Sequence, residues 1–303
     1  MTQLLCGRFA PTPSGPLHFG SLITALASYL SIKKKGGRWL VRIEDIDGER
    51  TVLGSAADIL RTLEACGLEW DKDVVYQSQR TELYEHVVKV LLSQGQAYRC
   101  SCSRREIGEG LGRGIDGTII YPRFCAGNPR YVERAKSVRL ATQSTEICFR
   151  DRVFGNQCQN VEKEVGDFVI KRSDGFFAYH LAVVVDDALQ GVTEVVRGYD
   201  LIDSTARQIL LQQKLNYLQP EYAHIPLALN ENGEKLSKQT LARAVCCENV
   251  SNLLVVALRF LGQQVPPEIE KYSPREIVVW GTENWSWAEI PKVKGKNVES
   301  HGC

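Results

Sequence analysis

Arg8-Phe9-Ala10-Pro11-Thr12-Pro13-Ser14-Gly15-Pro16-Leu17-His18-Phe19-Gly20 is the stretch that decides the fold. A short apolar run, Leu4 to Ala10, leads into it and reads as a buried strand. A helix is predicted over Ser21 to Lys35, because Leu22, Ala25, Leu26, Tyr29 and Leu30 recur at helical spacing. Lys33, Lys34 and Lys35 suit its C-terminal end, and Gly36-Gly37 stops it. Arg38 to Glu44 reads as a second strand. Strand, helix and strand at this short spacing form a βαβ unit, so the two strands are expected to be parallel. Ligands of such sheets bind beyond the carboxyl ends of the strands. The His18 turn and Glu44 both fall at such ends, which predicts one shared cleft.

A Gly/Pro-rich turn that ends in His-x-Gly and opens a helix is a phosphate cradle, since it offers backbone N–H donors and a positive dipole end. Gly15, Gly20 and the first helical turn supply both. His18 can hydrogen-bond a phosphate or ribose oxygen and stabilise charge developing at an α-phosphorus. A lone His would more often just pack the turn; Pro-Ser-Gly-Pro before it and Gly-Ser after it favour the phosphate role. Far downstream, Lys235-Leu236-Ser237-Lys238-Gln239 follows the turn signal Asn230-Glu231-Asn232-Gly233. Such a loop can close Lys235 and Lys238 over a leaving pyrophosphate. The two segments together point to ATP chemistry at the α-phosphate.

The 303 residues carry a net charge of +1, so a nucleic-acid partner would need a local basic patch. Hydrophobic content of 44% and charged content of 24% describe an ordinary globular chain of one or two domains. No stretch approaches the ~20 apolar residues of a membrane span, and the first residues lack the pattern of a secretory signal. A cytoplasmic location is expected. Ten cysteines then read as free thiols or metal ligands rather than a disulfide framework.

Further along, 55–66 and 79–94 read as helices. Residues 97–178 have another texture, with cysteines, glycines and short alternating runs such as Ser137-Val138-Arg139-Leu140, and read as an inserted, partly antiparallel module. The catalytic halves are expected at 1–96 and 179–240. The second half holds an apolar strand from Leu181 to Val185, a strand-like run Val192 to Val196 and a helix from Ser204 to Lys214. Residues 241–303 carry one apolar helix, Leu253 to Leu261, followed by a frayed polar tail.

The two loop segments resemble the His-Ile-Gly-His and Lys-Met-Ser-Lys-Ser signatures of class I aminoacyl-tRNA synthetases. Ser21 stands in place of the second His, and Leu236 and Gln239 in place of Met and the last Ser; the cradle and both lysines survive. Arg8-Phe9-Ala10-Pro11 before Gly15-Pro16-Leu17-His18, then Arg42-Ile43-Glu44-Asp45-Ile46-Asp47, then Tyr179-His180-Leu181-Ala182 with Val184-Val185-Asp186-Asp187, resemble glutamyl-tRNA synthetases over roughly residues 7–240. The resemblance implies a Rossmann-like, doubly wound parallel α/β sheet with an inserted zinc-binding α+β module and a short helical C-terminal part. It implies a glutamate site formed by Arg8, Phe9, Ala10, Pro11, Thr12, Glu44, Tyr179 and Arg197, and an ATP site of His18, Gly20 and Lys238. His18, Lys235 and Lys238 would be catalytic, with Mg2+ accompanying ATP. The chemistry agrees: a buried carboxylate suits the α-ammonium of glutamate and arginines suit its carboxylates. Val183 replaces an Asn common in the family, which predicts a more apolar pocket.

Cys100, Cys102 and Cys125 form a compact thiol group, one ligand short of a tetrahedral zinc site. No histidine lies between His86 and His180, so Cys148 and Tyr121 are the candidates for the fourth ligand. The small branch of the family that has Cys-x-Cys and then Tyr-x-x-x-Cys implies Tyr121, with zinc in a structural role.

Only 64 residues follow Gln239, too few for the two-domain anticodon-binding extension of ordinary glutamyl-tRNA synthetases. In this respect the chain resembles the glutamyl-Q tRNA(Asp) synthetase branch of the family. That branch makes glutamyl-adenylate without tRNA and attaches glutamate to queuosine in the anticodon stem-loop of tRNA(Asp). A monomer is expected. The competing readings are a minimal enzyme charging the 3′ end of tRNA(Glu), a nucleotidyltransferase, and a non-catalytic tRNA-binding paralogue. The Arg8, Glu44, Tyr179 and Arg197 set argues against the nucleotidyltransferase; retention of His18 and both lysines argues against the dead paralogue.

Overall fold

The computed structural model describes residues 4–108, 112–127, 135–144, 146–236, 245 and 249–298. The expected unit β1 (Cys6–Phe9), α1 (Phe19–Lys34) and β2 (Arg38–Ile43) forms, and its strands pair in parallel with Arg8 opposite Leu40. Next come α2 (Ser55–Ala65), β3 (Val75–Tyr76), α3 (Thr81–Ser93), β4 (Ala97–Cys100), α4 (Arg104–Ile107), β5 (Ser137–Leu140), β6 (Glu146–Asp151) and β7 (Gly155–Asn160). After these lie α5 (Val161–Glu164), β8 (Val169–Lys171), α6 (Tyr179–Leu189), β9 (Glu194–Gly198), α7 (Ile202–Lys214) and β10 (Glu221–Ile225). The last elements are β11 (Leu227–Leu229), α8 (Val250–Phe260), α9 (Pro274–Asn284) and β12 (Gly295–Asn297).

The main sheet runs β3-β2-β1-β9-β10-β6-β7 and is parallel except for the edge strand β7. Alternation along β2 explains its two covered faces. Trp39 and Val41 join a core with α1, α2, α8 and α9, while Leu40 joins a second core with α3, α6 and α7. A separate antiparallel sheet, β4-β5-β8, belongs to the inserted stretch. The hairpin β6–β7 lies within the same stretch of sequence, yet it extends the main sheet through Tyr222 opposite Asp151.

Three expectations are corrected. Leu181 to Val185 is not a strand; it is the middle of α6. A continuous apolar run carries no period, and this helix is covered so thoroughly that all five residues are buried. The segment after Leu261 is not frayed in its described part. Ser273 and Glu276 form a capping box with Pro274 in the first turn, and α9 buries Ile277 and Val278 in the core. Trp287 donates its Nε1–H to Ser31 of α1 at 3.1 Å, and Lys34 bonds the Trp285 carbonyl at 2.7 Å. Finally, Cys148 and Cys158 are not free thiols. They face each other across the β6–β7 hairpin with Cα atoms 4.1 Å apart and form a disulfide, which also removes Cys148 from the thiol cluster.

Ile277 is fully buried, so Ile277→Ala is expected to cost about 2–5 kcal/mol in urea unfolding. A loss under about 0.5 kcal/mol would mean that the C-terminal helix does not share the core.

Candidate active site

A cleft of about 660 Å3 opens at the carboxyl ends of β1, β2 and β9. Arg8, Phe9, Ala10, Pro11, Thr12, His18, Gly20, Glu44, Tyr179, Arg197 and Lys235 all line it. Every glutamate-site residue expected from the sequence therefore meets the His18 turn in one place. Lys238, with Ser237 and Gln239, lies outside the described residues, as do Cys246, Cys247 and Cys303. Val183 is buried but is not among the residues lining the cleft, so the expected apolar change to the pocket wall is not found.

The His18 turn is held by specific contacts. Gly15 has φ +140°, a backbone state that side-chain-bearing residues rarely adopt. Its amide and carbonyl both bond the buried Ser55 hydroxyl, at 2.9 and 2.6 Å. His18 is the N-cap of α1 and accepts the Ser21 amide on Nδ1 at 3.2 Å, while Nε2 lies 3.1 Å from the Ser21 hydroxyl. Ser21, in the place of the family's second His, thus binds the His18 ring through both of its polar groups. A Cβ on Gly20 would crowd that ring at 3.2 Å and stand 3.6 Å from the Leu236 carbonyl, so the start of the lysine loop closes against the cradle. Lys235 pairs with Asp200, another residue of the cleft wall.

A buried charge network fixes the amino-acid end. Arg42, inaccessible to solvent, donates to Asp187 at 2.8 Å, to Gln190 at 2.8 Å and to Glu44 at 3.2 Å. Arg8 meets the same Asp187 at 3.2 and 3.5 Å. Burial alone would raise the Asp187 carboxyl, but Arg8 and Arg42 outweigh it and hold it below the ordinary carboxylate value. For Glu44 the balance is reversed: burial pushes its carboxyl up despite Arg42 and Arg8. Glu44 shares Arg42 with Asp187, and that shared cation does not offset its burial.

Arg197 is the opposite case. It is 3% exposed and has no carboxylate partner among the described residues. Its Nε–H bonds His224 Nε2 at 3.0 Å, NH1 bonds Gln208 at 2.7 Å, and NH2 bonds Thr205 at 2.9 Å and the Leu201 carbonyl at 3.3 Å. All four acceptors are neutral, so this buried cation is short of negative charge. His224, Gln208, Thr205, Asp151, Asp187 and Asp200 were not singled out from sequence as site residues. Only the Asp186-Asp187 pair carried a signal, through the family wording.

The thiol cluster also assembles. The sulfurs of Cys100, Cys102 and Cys125 lie within 4.8 Å of one another. The Tyr121 hydroxyl sits 3.4 Å from both the Cys100 and Cys102 sulfurs and accepts the Cys125 amide at 3.0 Å. Three soft thiols and one phenol oxygen around a common point suit a tetrahedral metal ion. Arg139 stacks 3.9 Å from the Tyr121 ring centre and points Nε at Cys100 Sγ, 3.4 Å away, which offsets the negative charge such a ligand set carries. The half-buried Lys171 pairs with Glu85 and the exposed Arg172 with Asp174.

Two measurements check this electrostatic picture. Asp187→Asn leaves two buried guanidinium groups without their shared anion, and is expected to cost about 3–5 kcal/mol in chemical denaturation. Burial, with Arg197 adding to it, pushes the His224 imidazole from 6.5 down to about 4 even though Asp151 pulls upward. A neutral buried His favours the fold fully above its unfolded value, and that advantage is lost as pH falls from 6.5 towards about 4. The depressed Asp187 carboxyl adds a loss in the same direction below its unfolded value of 3.8. Denaturation midpoints should therefore fall between pH 7 and pH 5 in the wild type, and fall less in His224→Gln.

Residues 5–265 match the model of the family described as tRNA synthetases class I (E and Q), catalytic domain. A glutamyl-Q tRNA(Asp) synthetase of Dechloromonas aromatica (strain RCB) is 50% identical over 287 residues, spanning 94% of this chain and 95% of that protein. A glutamyl-Q tRNA(Asp) synthetase of Ectopseudomonas mendocina (strain ymp) is 49% identical over 96% of this chain and 97% of that one. The fold matches the crystal structure of a glutamate tRNA ligase from Elizabethkingia meningosepticum CCUG26117 in complex with its amino acid. The TM-score is 0.78 at 24% identity, over 98% of this chain and 67% of that chain. Among the described residues, no helix is long and apolar enough to cross a membrane. The chain belongs to the class I tRNA synthetases of the E and Q type, a family of ligases, and its near relatives within that family are glutamyl-Q tRNA(Asp) synthetases.

Proposed function

We propose that this protein activates L-glutamate with ATP, without tRNA, and transfers the glutamyl group to queuosine in the anticodon stem-loop of tRNA(Asp). The observation that carries the first half is the charge arrangement in the cleft: among the described residues Arg197 has only neutral acceptors, and Glu44, which shares Arg42 with Asp187, lines the same cleft beside a helix N-terminus. An α-amino acid with a second carboxylate supplies an anion for Arg197 and a further cation for Glu44. Its ammonium meets Glu44, and its side-chain carboxylate meets Arg197. The relatives' names support the second half.

In the reaction, the glutamate α-carboxylate attacks the α-phosphorus of ATP and pyrophosphate leaves. The start of α1 and His18 stabilise charge at the phosphorus, and Lys235, released from Asp200, with Lys238 neutralises the pyrophosphate. ATP enters as its magnesium complex. The adenylate then yields its acyl group to a queuosine cyclopentene hydroxyl, releasing AMP. Catalysis is positioning and electrostatics, and no covalent enzyme intermediate is required. Cys100, Cys102, Tyr121 and Cys125 would hold a structural Zn2+ that pins a module with little core of its own.

Incubation with ATP, labelled glutamate and total tRNA, with and without queuosine, tests the assignment. Label is expected in the anticodon loop of queuosine-containing tRNA(Asp). Label on a 3′ adenosine instead would identify an enzyme that charges tRNA ends and overturn the transfer step. For the metal, chelation is expected to release one zinc per chain and lower the melting temperature. Cys102→Ser should lower the zinc content. A protein purified without metal and indifferent to chelator would contradict the zinc assignment.

A further inference from the structure

Adjacent strands carry Asp151 at the end of β6, His224 in β10 and Arg197 in β9, with His224 directly opposite Arg197 in the ladder. All three are buried. Asp151 Oδ2 lies 2.7 Å from His224 Nδ1 and accepts the His224 amide at 3.1 Å; its other oxygen accepts the amides of Val153 and Phe154 at 3.0 and 2.9 Å. A carboxylate so placed keeps the proton on Nδ1, which leaves the Nε2 lone pair for the Arg197 Nε–H. A guanidinium has five N–H groups. Here His224, Gln208, Thr205 and Leu201 take four of them, and the fifth, on NH1, has no hydrogen-bond acceptor among the described residues.

Resting on the proposed glutamate site, we infer that the Asp151–His224 pair is the positioning device of that site. It locks Arg197 through its Nε edge, so that a single NH1 hydrogen faces the substrate's side-chain carboxylate. The interposed imidazole is essential to this arrangement. A carboxylate directly on Arg197 would hold it equally well but would cancel the charge the substrate must meet. A neutral imidazole fixes orientation and leaves the charge unspent. The β6–β7 hairpin, although it comes from the inserted stretch, thereby reaches the amino-acid site.

Two variants separate positioning from bulk packing. In His224→Gln the side-chain oxygen can reach the Nε2 position and still accept from Arg197. In His224→Asn the amide reaches only the Nδ1 position, so Arg197 loses that acceptor. Glutamate-dependent ATP–pyrophosphate exchange is measured without tRNA. The KM for glutamate should rise at least tenfold in His224→Asn and stay within about threefold of wild type in His224→Gln. The KM for ATP should be unchanged in both. Equal KM changes in the two variants, or a wild-type KM in His224→Asn, would overturn the inference. Should His224→Asn fail to fold, His224→Gln decides alone: a near-wild-type KM supports the inference and a tenfold rise overturns it. A wild-type protein without glutamate-dependent exchange would remove the proposed function itself, a result distinct from either variant outcome.

Discussion

Arg42 is a guanidinium that water does not reach, and the mouth of the sheet is arranged around it. It comes from β2, and its anions are Asp187, with Asp186 close by, on α6 and Glu44 just beyond its own strand. Removing such a cation from water costs several kcal/mol unless every partner is in place. The ion cluster therefore forms as a unit or fails as a unit. When it forms, α6 is docked against β1 and β2, Arg8 is drawn onto Asp187, and Glu44 is aimed at the cleft. Asp186, one residue from Asp187, ties the same helix to Gln77, Arg80 and Tyr84.

Two arginines of the cleft, Arg8 and Arg197, have different surroundings. Arg8 shares the Asp187 carboxylate with Arg42, so part of its charge is met inside the protein. Arg197 has only neutral acceptors among the described residues, which is why the proposed function assigns it a substrate carboxylate. Glu44 differs from Arg197 in having a charged partner, the Arg42 that it shares with Asp187. In the proposed reading, Arg197 and Glu44 in one cleft take the side-chain carboxylate and the ammonium of an acidic amino acid. The adjoining helix N-terminus and Lys235 add the means to handle a triphosphate.

Much of this was legible in the sequence because it is local. The β1–α1–β2 unit follows from helical spacing and a Gly stop, and the cradle follows from the Gly15 to Gly20 wording. The helix α6 was not legible, since Leu-Ala-Val-Val-Val is equally apolar on all sides and β-branched residues favour the strand reading. The capping box at Ser273 was present in the sequence and would have predicted α9 had it been weighed. The support of Arg197 was beyond reach, because Asp151, Arg197, Gln208 and His224 meet only once three strands and a helix are assembled. The Cys148–Cys158 pairing depends on hairpin register, which the sequence of the intervening residues does not specify.

The most direct test of the central claim is a crystal structure with a non-hydrolysable glutamyl-adenylate analogue. The account predicts the ligand's ammonium on Glu44, its side-chain carboxylate on the NH1 group of Arg197, and its phosphate mimic at the His18 end of α1. An analogue bound with Arg197 still facing only neutral groups, or bound outside this cleft, would contradict it.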